Sequence, residues 1–217
     1  MKKIKFYFLW LALICIITFI LQNLPGIPGF TELFILNQKA ITNFQIYRFL
    51  TAIFLHGSIT HLLYNLFALL FFGIILEKKI GSNKFLITFL VSGIIANIIA
   101  INFYKSSLGA SGAIYGILGC LTILAPLTMV WAFGLIMPIS IASVLWITGD
   151  ILRSLGAFGE TNIGSIAHLS GIAIGVLIGL ILRLNKRKKP YNLNLFQKLK
   201  TPISEHYIRN WEDGFVK

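Results

Sequence analysis

Residues 164 to 179 read Gly164-Ser165-Ile166-Ala167-His168-Leu169-Ser170-Gly171-Ile172-Ala173-Ile174-Gly175-Val176-Leu177-Ile178-Gly179, and the run stays apolar to Leu184 with His168 its one ionisable side chain before Arg183. About 20 mostly apolar residues are what an α-helix needs to cross a bilayer. At about 100° per residue, Gly171, Gly175 and Gly179 fall within about 60° of His168, so the histidine projects from a glycine face. Small residues four apart let two helix backbones approach closely. The stretch reads as a membrane helix that presents a histidine to a tightly packed neighbour.

Working outward, the same test finds candidate spans at about 6 to 23, 58 to 76, 84 to 103, 111 to 127 and 129 to 148, six in all with 164 to 184. The fold class expected is an all-α membrane protein, a six-transmembrane-helix bundle over residues 1–184. Composition agrees: 57% hydrophobic and 12% charged, with mean hydropathy +0.83, against roughly 45–50% apolar and 25% charged in soluble domains. The basic Met1-Lys2-Lys3-Ile4-Lys5 followed by apolar Phe6 to Leu21 resembles a signal peptide. Its apolar run exceeds the usual 7–15 or so residues and no small-x-small site follows, so it reads as an uncleaved first span. The connection 24–57, with Pro25, Gly26, Pro28 and Gly29, is expected to be a structured loop at the membrane interface.

The net charge of +12 would suggest nucleic acid in a soluble protein, but the basic residues cluster at the ends of apolar segments, so no nucleic-acid partner is expected. Eleven Lys and Arg residues, from Lys2, Lys3 and Lys5 through Lys78, Lys79 and Lys84 to Arg183 and Lys186–Lys189, fall on the side of the termini. Four, Lys39, Arg48, Lys105 and Arg153, fall opposite. Both termini are therefore expected in the cytoplasm. Residues 185–217 form a basic tail whose charges attract anionic lipid, at about 1 kcal/mol each near the surface. Cys15 and Cys120 sit inside apolar runs and read as small core residues.

Polar residues inside spans are costly and default to functional hypotheses. The second span opens with His61 and Asn65 four apart, one turn on one face. The fourth opens Gly109-Ala110-Ser111-Gly112, placing Ser111 at a helix N-terminus after a flexible approach, Ser106 to Gly109, with Tyr115 one turn below. Singly, each feature has a plain explanation: a serine at a helix start is usually an N-cap, and a glycine stripe usually just packs helices. Together they supply a nucleophile, a base and oxyanion donors. No carboxylate stands within a span beside Ser111 or His168; Asp150, Arg153 and Glu160 read as solvating the loop before the sixth span.

These residues resemble the rhomboid family of intramembrane serine proteases. Gly109-Ala110-Ser111-Gly112 is similar to its G-x-S-G motif, Ala167-His168 through Gly171 and Gly175 to its A-H-x-x-G-x-x-x-G, and His61 to Asn65 to its H-x-x-x-N, in the expected order. The resemblance implies Ser111 as nucleophile and His168 as general base in a dyad without a carboxylate. His61, Asn65 and the Ser111 amide would stabilise the oxyanion, and Tyr115 would pack on the His168 ring; the small residues around Ser111, Gly109 among them, would by their size leave room for a substrate backbone. His56, His61, Asn65 and His168 would line a wet cavity below the outer surface. Arg48 and Glu77 match structural landmarks of the family outside the active site.

The implied activity is a serine endopeptidase cutting in or near the transmembrane segments of single-span membrane proteins, needing no cofactor and no metal. The small six-span core looks like prokaryotic members, which would put it in a prokaryotic cell membrane. Alternatives are a rhomboid-like pseudoprotease that sorts membrane clients without cutting, a transporter or proton channel using the histidines as a relay, and a structural scaffold. Three histidines with no i, i+4 His pair argue against a zinc site.

Overall fold

The computed structural model describes residues 4–157 and 164–187. The helices are Tyr7–Asn23 (α1), Phe30–Phe34 (α2), Lys39–Thr42 (α3), Arg48–Thr51 (α4), Ile59–Ile80 (α5), Ser82–Ala100 (α6), Ser111–Leu124 (α7), Ile139–Ser154 (α8) and Ser165–Arg187 (α9), with a 3-10 turn at Ala52–Phe54. Two short antiparallel pairs join Leu36–Asn37 (β1) to Ser106–Ser107 (β2) and Met129–Ala132 (β3) to Leu135–Pro138 (β4). Residues up to Ile181 form one compact unit; a second begins at Leu182, and its described part is the end of α9. Glu160 and most of the basic tail lie outside the described residues. By length and composition α5, α6 and α9 can each cross a bilayer, while α1 and α7 are shorter apolar helices.

Helix α7 is the centre of the bundle. Nine of its fourteen residues are buried, which means neighbours on every side rather than along one stripe. Towards α6, Gly112 meets the Ala96 side chain and Gly116 meets Ser92. Towards α9 the contact is closer still: a Cβ on Gly171 would overlap the Gly112 carbonyl, and one on Gly175 the Gly116 carbonyl. The glycine face of α9 thus lies directly on the backbone of α7.

The connection after α1 is built from short elements. The buried Arg48 organises it, donating from Nη1 to the carbonyls of Glu32 and Ile35, both at 2.7 Å, and from Nε to Gln45 Oε1 at 2.6 Å. Glu77, buried near the end of α5, accepts hydrogen bonds from the Tyr7 and Phe8 amides, each at 3.1 Å. Those amides are among the orphan donors of the first turn of α1, so the carboxylate caps that helix from across the bundle.

A fifth helix over 129–148 does not form. Residues 129–138 make a hairpin instead, turning at Phe133 and Gly134, both with positive φ (54° and 79°). That pair of dihedrals matches the two-residue hairpin turn favoured by strand twist. Pro138 then stands outside the helix with φ −59° and ψ 140°. It has no N–H to give, and its ring disfavours helical geometry at Met137. The helix starts at Ile139 and runs to Ser154, beyond the expected end at 148.

The glycine contacts make a stability prediction. Gly175→Ala forces a side chain onto a backbone carbonyl that cannot rotate away, and it should cost about 3 kcal/mol or more, the upper end of overpacking penalties. Gly149, inside α8, has nothing within 4 Å of a built Cβ. Gly149→Ala should be neutral or stabilising by up to about 1 kcal/mol through helix propensity. Thermal unfolding of the two variants in micelles checks the contrast; equal Tm values would contradict it.

Candidate active site

Helix α5 supplies the first wall of the site. Ser58 caps it, its Oγ accepting from the His61 amide at 3.1 Å, so the helix begins where His61 and Asn65 share a face. The Asn65 Nδ2 donates back to the His61 carbonyl at 2.9 Å. His61 also forms an edge-to-face contact with His56, with ring centroids 5.1 Å apart.

The approach to Ser111 is pinned rather than flexible. Ser106 and Ser107 pair with Asn37 and Leu36, and the Gly109 amide donates to the Ala52 carbonyl at 2.9 Å. The connection after α1 therefore fixes the segment that leads into α7. Gly109 is strained for any other residue, at φ +124°, and a Cβ there would lie 2.7 Å from the His61 ring. Its role is to let this backbone pass against an imidazole.

At the start of α7, Ser111 Oγ lies 2.8 Å from His168 Nε2. The Tyr115 ring stacks on the His168 ring with centroids 4.3 Å apart and planes 13° from parallel. A cavity of about 930 Å³ opens over this pair and is lined by Gly109, His61, Asn65, Ser111, Tyr115 and His168 among others. The first-turn amides of α7 have no helical carbonyl to reach, so they remain available to an oxyanion. All six expected site residues thus come to one cavity. His56 does not: it lines a separate, smaller pocket with Gln22 and Thr31, because the chain turns at Gly57 before α5 begins.

The expectation of a pair without a carboxylate is corrected. Asp150, taken for a loop residue, is buried in the last turns of α8, with Oδ2 3.1 Å from His168 Nδ1 and Oδ1 3.0 Å from Arg153 Nη1. The error follows from the hairpin. Moving the helix start to Ile139 carries Asp150 onto the buried face shared with Ile139, Ala142 and Ser143. Pro138 and the Phe133-Gly134 turn were the available signals. Among the described residues no group of three or more His, Cys, Asp or Glu side chains could hold a metal ion.

The model of the Rhomboid domain matches residues 43–185, about two thirds of the chain, and takes in the whole of this site. The chain belongs to the rhomboid family. Similar proteins include "Rhomboid-like protease 3" of Toxoplasma gondii, 33% identical over 141 residues that cover 64% of this chain and 52% of that one. "RHOMBOID-like protein 4" of Arabidopsis thaliana is 29% identical over 180 residues, 77% of this chain and 44% of that one. "Rhomboid protease GlpG" of Salmonella choleraesuis is 25% identical over 182 residues, 83% of this chain and 64% of that one. The chain spans about half the length of these relatives. As a rhomboid domain with long apolar helices, it is an integral membrane protein. Relatives in Arabidopsis and Toxoplasma give no ground for restricting it to a prokaryotic membrane.

Next to the rhomboid site, His56 carries a pH dependence. It is 1% exposed, and burial, aided by the nearby His61, pushes its imidazole down to about 4. Its Nδ1–H then donates to the Phe54 carbonyl at 3.2 Å. An unfolded histidine titrates near 6.5, so between about pH 6.5 and 4 the unfolded chain binds a proton that the folded chain refuses. Stability is full above that window and is lost as pH falls through it, by on the order of 3 kcal/mol. Tm measured from pH 7.5 to 4.5 should fall more steeply for the wild type than for His56→Gln; parallel curves would sink the assignment.

Proposed function

We propose that this protein is an intramembrane serine endopeptidase in which Ser111 is the nucleophile and His168 the general base. The observation that carries the reading is the 2.8 Å contact between Ser111 Oγ and His168 Nε2 in a cavity also lined by His61 and Asn65. Ser111 attacks a substrate carbonyl while its proton passes to His168 Nε2. The oxyanion so formed is met by the Ser111 amide and by His61 and Asn65. Collapse of the tetrahedral intermediate expels the amine, which takes the proton from His168, and water from the cavity resolves the acyl-enzyme by the same steps. Tyr115, stacked on the imidazole, restricts its rotation.

The substrates proposed are single-span membrane proteins cut in or near their membrane segment. A second cavity, of about 670 Å³, supports this: it is lined by Phe67, Phe72, Leu118, Trp131 and Trp146, and shares Tyr64 and Tyr115 with the catalytic cavity. An apolar helix resting there has its end beside Ser111. In lipid a helix has no reason to release its backbone hydrogen bonds, but at the polar cavity it can exchange them. The proposed topology is six spans, α1 and α5 to α9, over residues 1–184, with both termini and the basic residues 185–217 in the cytoplasm.

In liposomes with a panel of labelled single-span substrates, the wild type should cleave, and Ser111→Ala and His168→Ala should lose cleavage. His61→Ala and Asn65→Ala should each lower kcat by about 10²- to 10³-fold, as the loss of an oxyanion donor does. Cleavage that survives Ser111→Ala would sink the serine mechanism.

A further inference from the structure

Asp150 is not where a solvating loop residue belongs. Its side chain is 1% exposed, and a buried carboxylate is tolerated only with partners that make up for lost water. Two of its partners divide its oxygens, and Tyr115 and Ser165 also interact with the carboxylate. Arg153, one turn further along α8 and 28% exposed, takes Oδ1 at 3.0 Å. Oδ2 is left to accept from His168 Nδ1 at 3.1 Å.

That second contact decides the state of the imidazole. With Oδ1 in the Arg153 ion pair the carboxylate stays ionised and Oδ2 can only accept, so His168 must carry its proton on Nδ1. Nε2 is then an acceptor, which is what a proton leaving Ser111 Oγ, 2.8 Å away, requires. The other groups facing the ring are Tyr115, whose phenol interacts with the same carboxylate, and His61 across the cavity. Neither selects a tautomer: Tyr115 meets the ring by its face, and His61 reaches it only through space.

We propose that Asp150 is a positioning residue for His168, making the Ser111–His168 pair a three-member relay in which Asp150 fixes the tautomer and orientation of the imidazole and balances its charge once it takes the serine proton. The relay rests on the endopeptidase reading above but departs from the dyad that the family resemblance implies. Arg153 belongs to it indirectly, by holding Oδ1 so that Oδ2 keeps its aim. No atom is transferred to Asp150; the proton travels only between Ser111 Oγ and His168 Nε2.

The test uses the full chain in liposomes with wild type, Asp150→Asn and Ser111→Ala. Asparagine keeps the volume but can donate its amide to Nδ1, which favours the wrong tautomer. Two readouts are taken: the rate at which a fluorophosphonate labels Ser111, which needs no knowledge of the substrate, and kcat and KM on a cleaved single-span substrate. Asp150→Asn should slow labelling and lower kcat by about 10²- to 10⁴-fold, with KM within about threefold and Tm within a few degrees of wild type. A labelling rate and kcat within threefold of wild type would overturn the relay alone. A low Tm, with labelling normal per folded molecule, would also overturn it and make Asp150 a packing element. Failure of wild type to label at Ser111 would instead bring down the serine mechanism, and the relay with it.

Discussion

Where Gly171 and Gly175 of α9 face the carbonyls of Gly112 and Gly116 on α7, two helix backbones meet with no side chain between them. In lipid, burying apolar surface gives helices little reason to associate, because the tails around them are as apolar as leucine. Close packing and polar contacts have to do it. The glycine register also has a geometric consequence. His168 stands three residues before Gly171, and Ser111 is the residue before Gly112, so the approach of the two backbones brings imidazole and hydroxyl to 2.8 Å. A single methyl in that interface would push the backbones apart by more than a hydrogen bond tolerates. The Ser111–His168 contact is therefore a property of the helix interface before it is a property of either side chain.

Several charged or polar groups sit deep in this apolar chain, and their partners sort them. Arg48 spends its guanidinium on carbonyls of the connection after α1, and Glu77 spends its carboxylate on the first amides of α1. Both close backbone ends that would otherwise be costly to bury. Asp150 differs, because one of its oxygens goes to a side chain that can itself change protonation and that touches Ser111. Burial alone would have grouped the three. What they bond to separates scaffold from site.

Much of this was legible in the sequence for reasons that can be named. Long apolar runs have few alternatives to membrane helices, and the four-residue spacings of His61 with Asn65 and of Gly171 with Gly175 translate directly into shared faces. Three features were not legible. Residues 129–138 are as apolar as a span, and hydropathy alone cannot tell a hairpin from a helix there; only Gly134 and Pro138 mark the difference. Asp150 followed that error, since a shift of the helix start moves every later residue to a new depth. The Ser106–Gly109 approach looked loose because its partners, Leu36, Asn37 and Ala52, are more than 50 residues away in sequence, and no local pattern announces such a contact.

The length of α7 joins the scaffold to the chemistry. Fourteen residues rise about 21 Å, against about 30 Å of hydrocarbon. In the proposed six-span topology a helix that short would not reach both surfaces of a bilayer, and the segment before it, clamped by β1 and Ala52, would dip inward. In that topology its descent would carry the positive end of a helix below the level where water normally reaches. Polar side chains from α5 and α9 are needed there to keep the space hydrated, and His61, Asn65 and His168 line it. Immediately beside them the aromatic groove of Phe67, Trp131 and Trp146 offers mostly apolar surface. The boundary between the two, at Tyr64 and Tyr115, is where a peptide could keep its side chains in one medium while its backbone is opened in the other.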